Sequence, residues 1–352
     1  MNVLVAMSGG VDSSVAAARL IEAGHEVVGA TLKLWGGASD TGCCSVADVD
    51  DARRVAQTLG VDHHVFNFTE EFNRLVVDQF VDGHARGRTP NPCIECNRHV
   101  KFDLLVERAR RLGFDAVATG HHARIVVRDG AAALARGRDE RKDQSYVLGF
   151  LGADALARLL LPVGDLTKDE VRAEAHRLGL RTWDKPDSQD VCFLEARGGR
   201  ERFLGARLAL TSARVVDDAS EEDLGEVAAA QLMTVGQRRG VTPGRDGERR
   251  YVKRVDLGAR RVHVGRLTDV LVERVALDAE SVSFARAPLA DGSAVVAQFS
   301  AHGRPVAATL RTAPRWRLDL DEPSRPVAPG QTVVLYRHHE PEIVDGAAIC
   351  TL

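Results

Sequence analysis

The first half of the chain alternates between two hydrophobic textures. Val3–Met7 is a short continuous apolar run, the pattern of a strand buried on both faces. Ser13–Ala23 reads as a helix ended by Gly24. Glu26–Leu32 and His63–Phe68 read as the next strands, separated by a helix over Asp48–Leu59 that Gly60 stops. Helices over Glu70–Val81 and Val100–Leu112 precede a strand at Asp115–Thr119. Regular alternation of this kind predicts an α/β fold, a Rossmann-like parallel sheet with helices on both faces. Ligands of such sheets lie beyond the carboxyl ends of the strands. Lys168–Leu178 adds a helix with Thr167 as its N-cap and Gly179 past its end.

After about residue 200 the texture changes. Tyr251–Val255, Arg261–Val264, Val270–Ala276, Ala294–Ser300, Val306–Leu310, Arg315–Leu320 and Thr332–Tyr336 are short β-rich stretches punctuated by Gly, Pro and Asp. Such spacing predicts an all-β barrel or sandwich. Arg197–Arg202 is the candidate junction, with Gly265–Asp269 a weaker one. A chain of 352 residues suits two or three domains.

Composition narrows the class. No apolar run approaches bilayer length, and the short stretch Val3–Met7, followed at once by Ser8, Asp12 and Ser13, is no signal peptide. No membrane is expected, and the default location is the cytoplasm. Six cysteines are too few for a disulfide scaffold in a chain this long, so their placement matters more than their number. A net charge of -3 argues against a purely electrostatic nucleic-acid binder. Two local basic clusters remain, Arg86 to Arg111 and Arg136 to Lys142, and each suits a solvated helix face or an RNA contact equally.

Ser8-Gly9-Gly10-Val11-Asp12-Ser13 follows the first strand and opens the first helix. Two glycines let the backbone turn its N–H groups outward, and the helix N-terminus adds positive dipole, so the turn suits an oxyanion such as pyrophosphate. No Lys follows the glycines, which excludes the Walker A pattern. Asp12 suits orienting the loop or helping to hold magnesium. Thr89-Pro90-Asn91-Pro92-Cys93-Ile94-Glu95-Cys96-Asn97 presents two thiols on a loop stiffened by prolines. A pair so spaced suits a redox couple, half a zinc site or part of an iron–sulfur site. Asp187-Ser188-Gln189-Asp190-Val191-Cys192-Phe193 delivers a third thiol. Ala118–Arg124 ends a strand where α/β sheets place ligands, and Lys142-Asp143-Gln144-Ser145-Tyr146 forms a polar turn.

Together these motifs resemble the tRNA-specific 2-thiouridylases, within the superfamily of ATP pyrophosphatases with an N-type loop. The likeness runs through Thr234–Gly240 and Pro329-Gly330-Gln331, so it spans nearly the whole chain. It implies an adenylation domain at 1–200, a central tRNA-contacting domain at 201–265 and a C-terminal β-barrel at 266–352. It implies ATP and Mg2+ as cofactors, with ATP on Ala6, Met7, Ser8, Gly9, Gly10, Val11, Asp12 and Ser13 and with Leu32 and Gly120 lining the adenosine site. The implied substrate is the wobble uridine of the tRNAs for Lys, Glu and Gln. Adenylation of its C2 oxygen expels pyrophosphate, and sulfur then displaces AMP. Asn91, Pro92 and Cys93 match residues beside the target base, and Lys142, Asp143 and Gln144 match residues that touch tRNA.

Two sulfur routes are implied. In one, Cys192 carries a persulfide received from a sulfur-relay protein or cysteine desulfurase, and Cys96 resolves the intermediate to leave a Cys96–Cys192 disulfide. In the other, Cys93, Cys96 and Cys192 are the candidate ligands of a four-iron iron–sulfur cluster. Cys93 stands where many relatives carry Asp, and a thiolate is the softer ligand. The resemblance also implies tRNA contact from the strand Ala294–Ser300, where this chain offers Gln298 and Phe299 in place of arginine and tyrosine. Rival readings are an amidating or lysidine-forming ATP pyrophosphatase, which needs no separated cysteines, and a non-enzymatic RNA-binding module, which needs no pyrophosphate loop.

Overall fold

The computed structural model describes residues 1–36, 45–187, 191–194 and 198–351. Cys43, Cys44 and the stretch Ser188-Gln189-Asp190 of the third motif lie outside the described residues. Among the strands, β1 (Asn2–Ala6), β2 (Glu26–Lys33), β3 (His63–Asn67) and β4 (Ala116–Thr119) are parallel. An antiparallel hairpin of β5 (Ala123–Arg128) and β6 (Ala131–Arg136) follows, and β7 (Leu159–Leu160) then joins the parallel sheet. The sheet order is β3-β2-β1-β4-β7.

The continuous apolar run of β1 has the predicted cause. Val3, Leu4 and Val5 are each fully buried because alternate side chains feed two different cores. Leu4 packs with Phe72, Val76, Phe80 and Val100 of the helical segments 69–85 and 92–111. Val3 and Val5 pack with Val15 and Ala16 of the helix Val11–Glu22, Val55 of Val46–Leu59 and Val171 of Lys168–Arg177. Thr167 caps the last of these as its sequence suggested. Its hydroxyl accepts from the Glu170 N–H, and the Glu170 carboxylate accepts from the Thr167 N–H at 2.7 Å.

Both long segments on the first face contain π-helical stretches, at Asn73–Val77 and Cys96–Leu104. Such distortions are frequent at functional sites, and the second begins at Cys96. Within the candidate junction Arg197–Arg202, residues 199–202 are helical. A helix at Gly199–Gly205 buries Phe203 and Leu204 in the same core as Leu4. These two apolar residues anchor a segment whose arginine and glycine content suggested a linker.

Beyond it, β8 (Ala213–Asp217), β9 (Asp223–Val227), β10 (Tyr251–Asp256) and β11 (Arg261–Gly265) form a four-stranded sheet ordered β10-β11-β8-β9. The remaining strands are β12 (Val272–Ala276), β13 (Ser283–Phe284), β14 (Ala294–Gln298), β15 (Val306–Arg311), β16 (Arg317–Ser324), β17 (Thr332–Arg337) and β18 (Val344–Ile349). They pair antiparallel in the order β12-β16-β15-β14-β17-β18-β13. A further bridge from Leu277 to Cys350 curls this sheet toward closure. Cys350 sits in its core, where burial pushes the thiol up to about 12 and removes its nucleophilic form.

The barrel does not hang free. Val334, Tyr336, Val344 and Ala347 share one core with Ile94, Phe102, Leu134 and Leu148 of the first half. Polar ties reinforce it. The Thr89 N–H donates to the Pro329 carbonyl at 2.7 Å, and the Tyr146 hydroxyl donates to the Thr332 carbonyl at 2.9 Å.

Candidate active site

The loop after β1 is shaped by close approach. Gly9 has φ of +72°, and a methyl group there would lie 2.2 Å from the Asp48 carbonyl oxygen. Gly120, just past β4, abuts the start of the first helix, where a methyl group would lie 2.5 Å from the Ser13 nitrogen. Ser13 folds inward, its hydroxyl accepting from the Ser8 N–H at 3.2 Å and donating to the Gly10 carbonyl at 3.2 Å. The Ser14 hydroxyl donates to the same carbonyl at 2.8 Å. Val11, Asp12 and Ser13 form the opening helical turn, whose N–H groups have no acceptor within the helix. A compact row of donors therefore faces the carboxyl end of the sheet.

Ionic side chains surround this row. Both Asp12 oxygens accept from Lys168 Nζ at 2.7 Å, and His122 Nε2 lies 3.0 Å from Oδ1. Burial raises the Asp12 carboxyl, but the His122 and Lys168 contacts outweigh it and hold the group below the usual carboxylate range. Lys168 also reaches Asp187 at 2.9 Å. Asp187 in turn takes Lys142 at 2.7 Å and Arg172 at 3.0 Å. Burial raises it too, yet these lysines bring it down to about 2. Opposite, Lys185 donates to the Gly9 carbonyl at 3.0 Å and to Asp48 and Asp51 at 2.7 Å each. Its burial lowers the ammonium, and the two carboxylates more than restore it.

Two of the three candidate thiols meet one apolar cluster. Cys96 is 7% exposed within the apolar cluster that includes Leu32, Leu34, Trp35 and Phe68, at or just past the carboxyl ends of β2 and β3. Cys192, half-buried, packs against that same cluster, and its neighbour Phe193 meets Phe72, Phe80, Trp35 and Phe203 edge-on or tilted. Cys93 is exposed, one residue past Pro92 and held by Asn91, whose side chain accepts from the Cys93 N–H at 3.1 Å. Among the described residues, no group of three or more His, Cys, Asp or Glu is arranged to hold a metal ion.

Relatives of known name decide the family. A family model described as the tRNA methyl transferase HUP domain matches residues 1–196, and one described as the aminomethyltransferase β-barrel domain matches 275–349. The tRNA-specific 2-thiouridylase MnmA of Mycolicibacterium gilvum is 47% identical over 347 residues, covering 96% of this chain and 95% of the relative. Its namesake in Mycobacteroides abscessus is 45% identical over 363 residues, covering 100% and 99%.

The chain belongs to the tRNA-specific 2-thiouridylase family.

Looser likeness, at a TM-score of 0.37 and 19% identity over 58% of this chain and 65% of the other, links it to the U34-tRNA thiolase NcsA from Methanococcus maripaludis, solved with its 4Fe-4S cluster. In this thiouridylase-family chain the parallel sheet and the C-terminal barrel take the predicted form.

Several residues singled out from the sequence share one network. Ala6 ends β1, and Met7 is buried, its N–H donating to the Ala30 carbonyl at 2.8 Å. Gly120 closes on Ser13, and Lys142 pairs with Asp187. Asp143 is 9% exposed, and its carboxylate accepts from the Gly137 and Ser145 N–H groups and from Arg136 at 2.9–3.0 Å. Gln144 clasps the His122 backbone in both directions, at 2.8 and 2.9 Å. Gln298 is 3% exposed, accepting from Arg136 at 2.7 Å and donating to the Ser300 and Ala301 carbonyls. Phe299 packs against the barrel core. Sequence reasoning missed Lys168, Lys185, Arg172, Asp48 and Asp51. Lys168 and Lys185 carry no motif of their own; only burial of a lysine beside a carboxylate distinguishes them.

Proposed function

We propose that this chain is a tRNA uridine 2-sulfurtransferase that uses ATP to activate the wobble base of the tRNAs for Lys, Glu and Gln. The observation that supports the reading is a glycine-rich turn opening the first helix, together with two cysteines on one apolar cluster, Cys96 within it and Cys192 against it.

ATP lies along Ala6–Ser13, its adenosine against Leu32 and Gly120, its phosphates on the donors of the opening helical turn. Lys168 and Lys185, now spent on carboxylates, are the cations within reach of those phosphates. Magnesium accompanies the nucleotide, and Asp12 is the loop carboxylate that would exchange His122 or Lys168 for it. The uridine, splayed from a single-stranded anticodon loop, enters beside Asn91, Pro92 and Cys93. Its C2 oxygen attacks the α-phosphate, and pyrophosphate leaves. A poor leaving group thereby becomes AMP.

Sulfur arrives as a persulfide on Cys192, delivered by a sulfur-relay protein or a cysteine desulfurase. The terminal sulfur attacks C2 and expels AMP, leaving C2 joined to Cys192 through a disulfide. The Cys96 thiolate then attacks Cys192 Sγ, releasing 2-thiouridine and forming a Cys96–Cys192 disulfide that a two-electron reductant reopens. The common apolar cluster supports this exchange, because both thiols border it.

The test combines protein, ATP, magnesium, a persulfide donor and unmodified glutamate tRNA, with digested nucleosides analysed by mass spectrometry. ATP-dependent 2-thiouridine that needs both Cys96 and Cys192 supports the reading. Pyrophosphate release without thiolation moves the reaction to another acceptor.

A further inference from the structure

Among the described residues, Asp12 has His122 and Lys168 as side-chain partners, and one turn seats both of them. The turn is residues 137–145, between β6 and the short 3-10 helix Ser145–Leu148. Gln144 grips the His122 backbone, and His122 Nε2 meets Asp12. From the other end of the turn, Asp139 (6% exposed) accepts the Lys168 backbone N–H at 3.0 Å, fixing the first residue of the helix whose ammonium holds Asp12.

The shape of that turn depends on Asp143, and Asp143 depends on Arg136. One Arg136 nitrogen donates to Asp143 at 2.9 Å, another to Gln298 of β14 at 2.7 Å, and Nε to the Pro341 carbonyl at 3.0 Å. The guanidinium lies 3.7 Å from the centroid of the Tyr336 ring in β17. The Ser145 hydroxyl closes the circuit, donating to Asp143 at 2.8 Å and meeting the Tyr336 hydroxyl at 2.9 Å. Ser145 and Tyr336 are fully buried, so this polar network is strong when complete and costly when one member is lost.

We propose that Arg136 is a positioning residue for Asp12, so that the C-terminal barrel forms a mechanical part of the ATP site. The inference rests on the adenylation reading. Arg136 uses what only a planar fork supplies: two simultaneous acceptors and a flat face on an aromatic ring. Its contacts with Asp143, Gln298, the Pro341 carbonyl and the Tyr336 ring make it act through the turn. In this chain Gln298 is the barrel's contribution, spent inward on Arg136.

Three variants test this in the full-length protein: Arg136→Lys, Gln298→Leu and the double. ATP affinity is measured by calorimetry without tRNA, and KM for ATP and for tRNA in the thiolation assay. Arg136→Lys is expected to weaken ATP binding by about tenfold while moving the KM for tRNA less. Gln298→Leu, which leaves the charge in place, gives a smaller loss of the same kind. The double variant is no worse than Arg136→Lys alone, because both act along one path. If Arg136→Lys does not fold, Gln298→Leu carries the same comparison. Unchanged ATP affinity in a folded variant overturns the proposal, as does a loss confined to the tRNA KM. Because ATP affinity is read without turnover, a wild-type protein that binds ATP but makes no 2-thiouridine refutes the functional reading separately.

Discussion

Gly120→Ala perturbs the proposed ATP loop while leaving every charge in place. The new methyl group would sit 2.5 Å from the Ser13 nitrogen and 2.6 Å from the Asp12 carbonyl carbon. Ordinary contact begins near 3.4 Å, so backbone must move by about 0.9 Å, and no flexible side chain is there to give way. Overpacking of this kind costs about 1–3 kcal/mol of stability. The functional cost falls near the top of that range, because the displaced atoms carry the proposed phosphate donors and Asp12. A misplacement near 1 Å costs about a hundredfold in rate, equivalent to about 2.7 kcal/mol in the barrier. The assay is tRNA-dependent pyrophosphate release against ATP concentration, beside thermal unfolding. Gly152→Ala is the control, since a methyl group there meets nothing within 4 Å. If Gly120→Ala folds and keeps kcat/KM for ATP within about twofold of wild type, the loop tolerates displacement and the close-approach argument fails.

Other expectations follow from the same geometry. Cys96→Ser and Cys192→Ser abolish 2-thiouridine formation while sparing pyrophosphate release; loss of both activities in either variant would place that thiol in the adenylation step instead. Lys168→Met leaves Asp12 and Asp187 short of their shared cation and costs about 2 kcal/mol of stability, less than a fully buried pair because both carboxylates keep other partners. Denaturant unfolding measures this, and Lys168→Arg should recover part of it. His99 lies between Asp103 and Glu95, whose hydrogen bonds raise its imidazole to about 9. A raised folded value means the stabilisation is fully present below the free value of about 6.5 and fades as pH rises through 9. The difference in thermal midpoint between wild type and His99→Gln should therefore be present at pH 6 and gone by about pH 10.

Much of this arrangement was legible because periodicity and punctuation agree. The run Val3–Met7 gave β1 within one residue, and Thr167 announced its helix through a capping box. The hairpin β5–β6 went unread although its signal was present. Asp129-Gly130 both have positive φ, at 51° and 77°, the turn that joins two strands most tightly. Strand β18 was missed for a different reason. Val344–Ile349 holds Asp345, Gly346 and two alanines, small or polar residues that only the surrounding barrel makes into a strand. In the site, the loop and the cysteines were readable as local motifs. Lys168 was not, since the chain separates it from Asp12 by 156 positions and only folding joins them.

The basic residues illustrate how far charge alone misleads. Seven Lys or Arg between residues 86 and 111 and four more between 136 and 142 suggested either RNA contact or solvated faces. Many are engaged within the fold. Arg110 and Arg111 fork onto Glu107, Arg98 lies over the Phe150 ring and Arg108 over Phe66. Arg138 reaches Glu170, Lys142 holds Asp187, and Arg136 ties the barrel to the turn. These contacts differ in what a phosphate could reclaim. The Arg110 and Arg111 pairs are exposed, so an RNA backbone could compete for them at little cost. Arg136 is bound on four sides around a buried carboxylate, and a phosphate drawing it away would leave Asp143 without its cation. Lys142 lies between these limits: its side chain is 37% exposed, and Asp187, its ion-pair partner, keeps Lys168 and Arg172 if Lys142 turns outward. Among the residues that the resemblance matches to tRNA contact, Lys142 is thus the one whose charge can turn outward while Asp187 keeps its other cations.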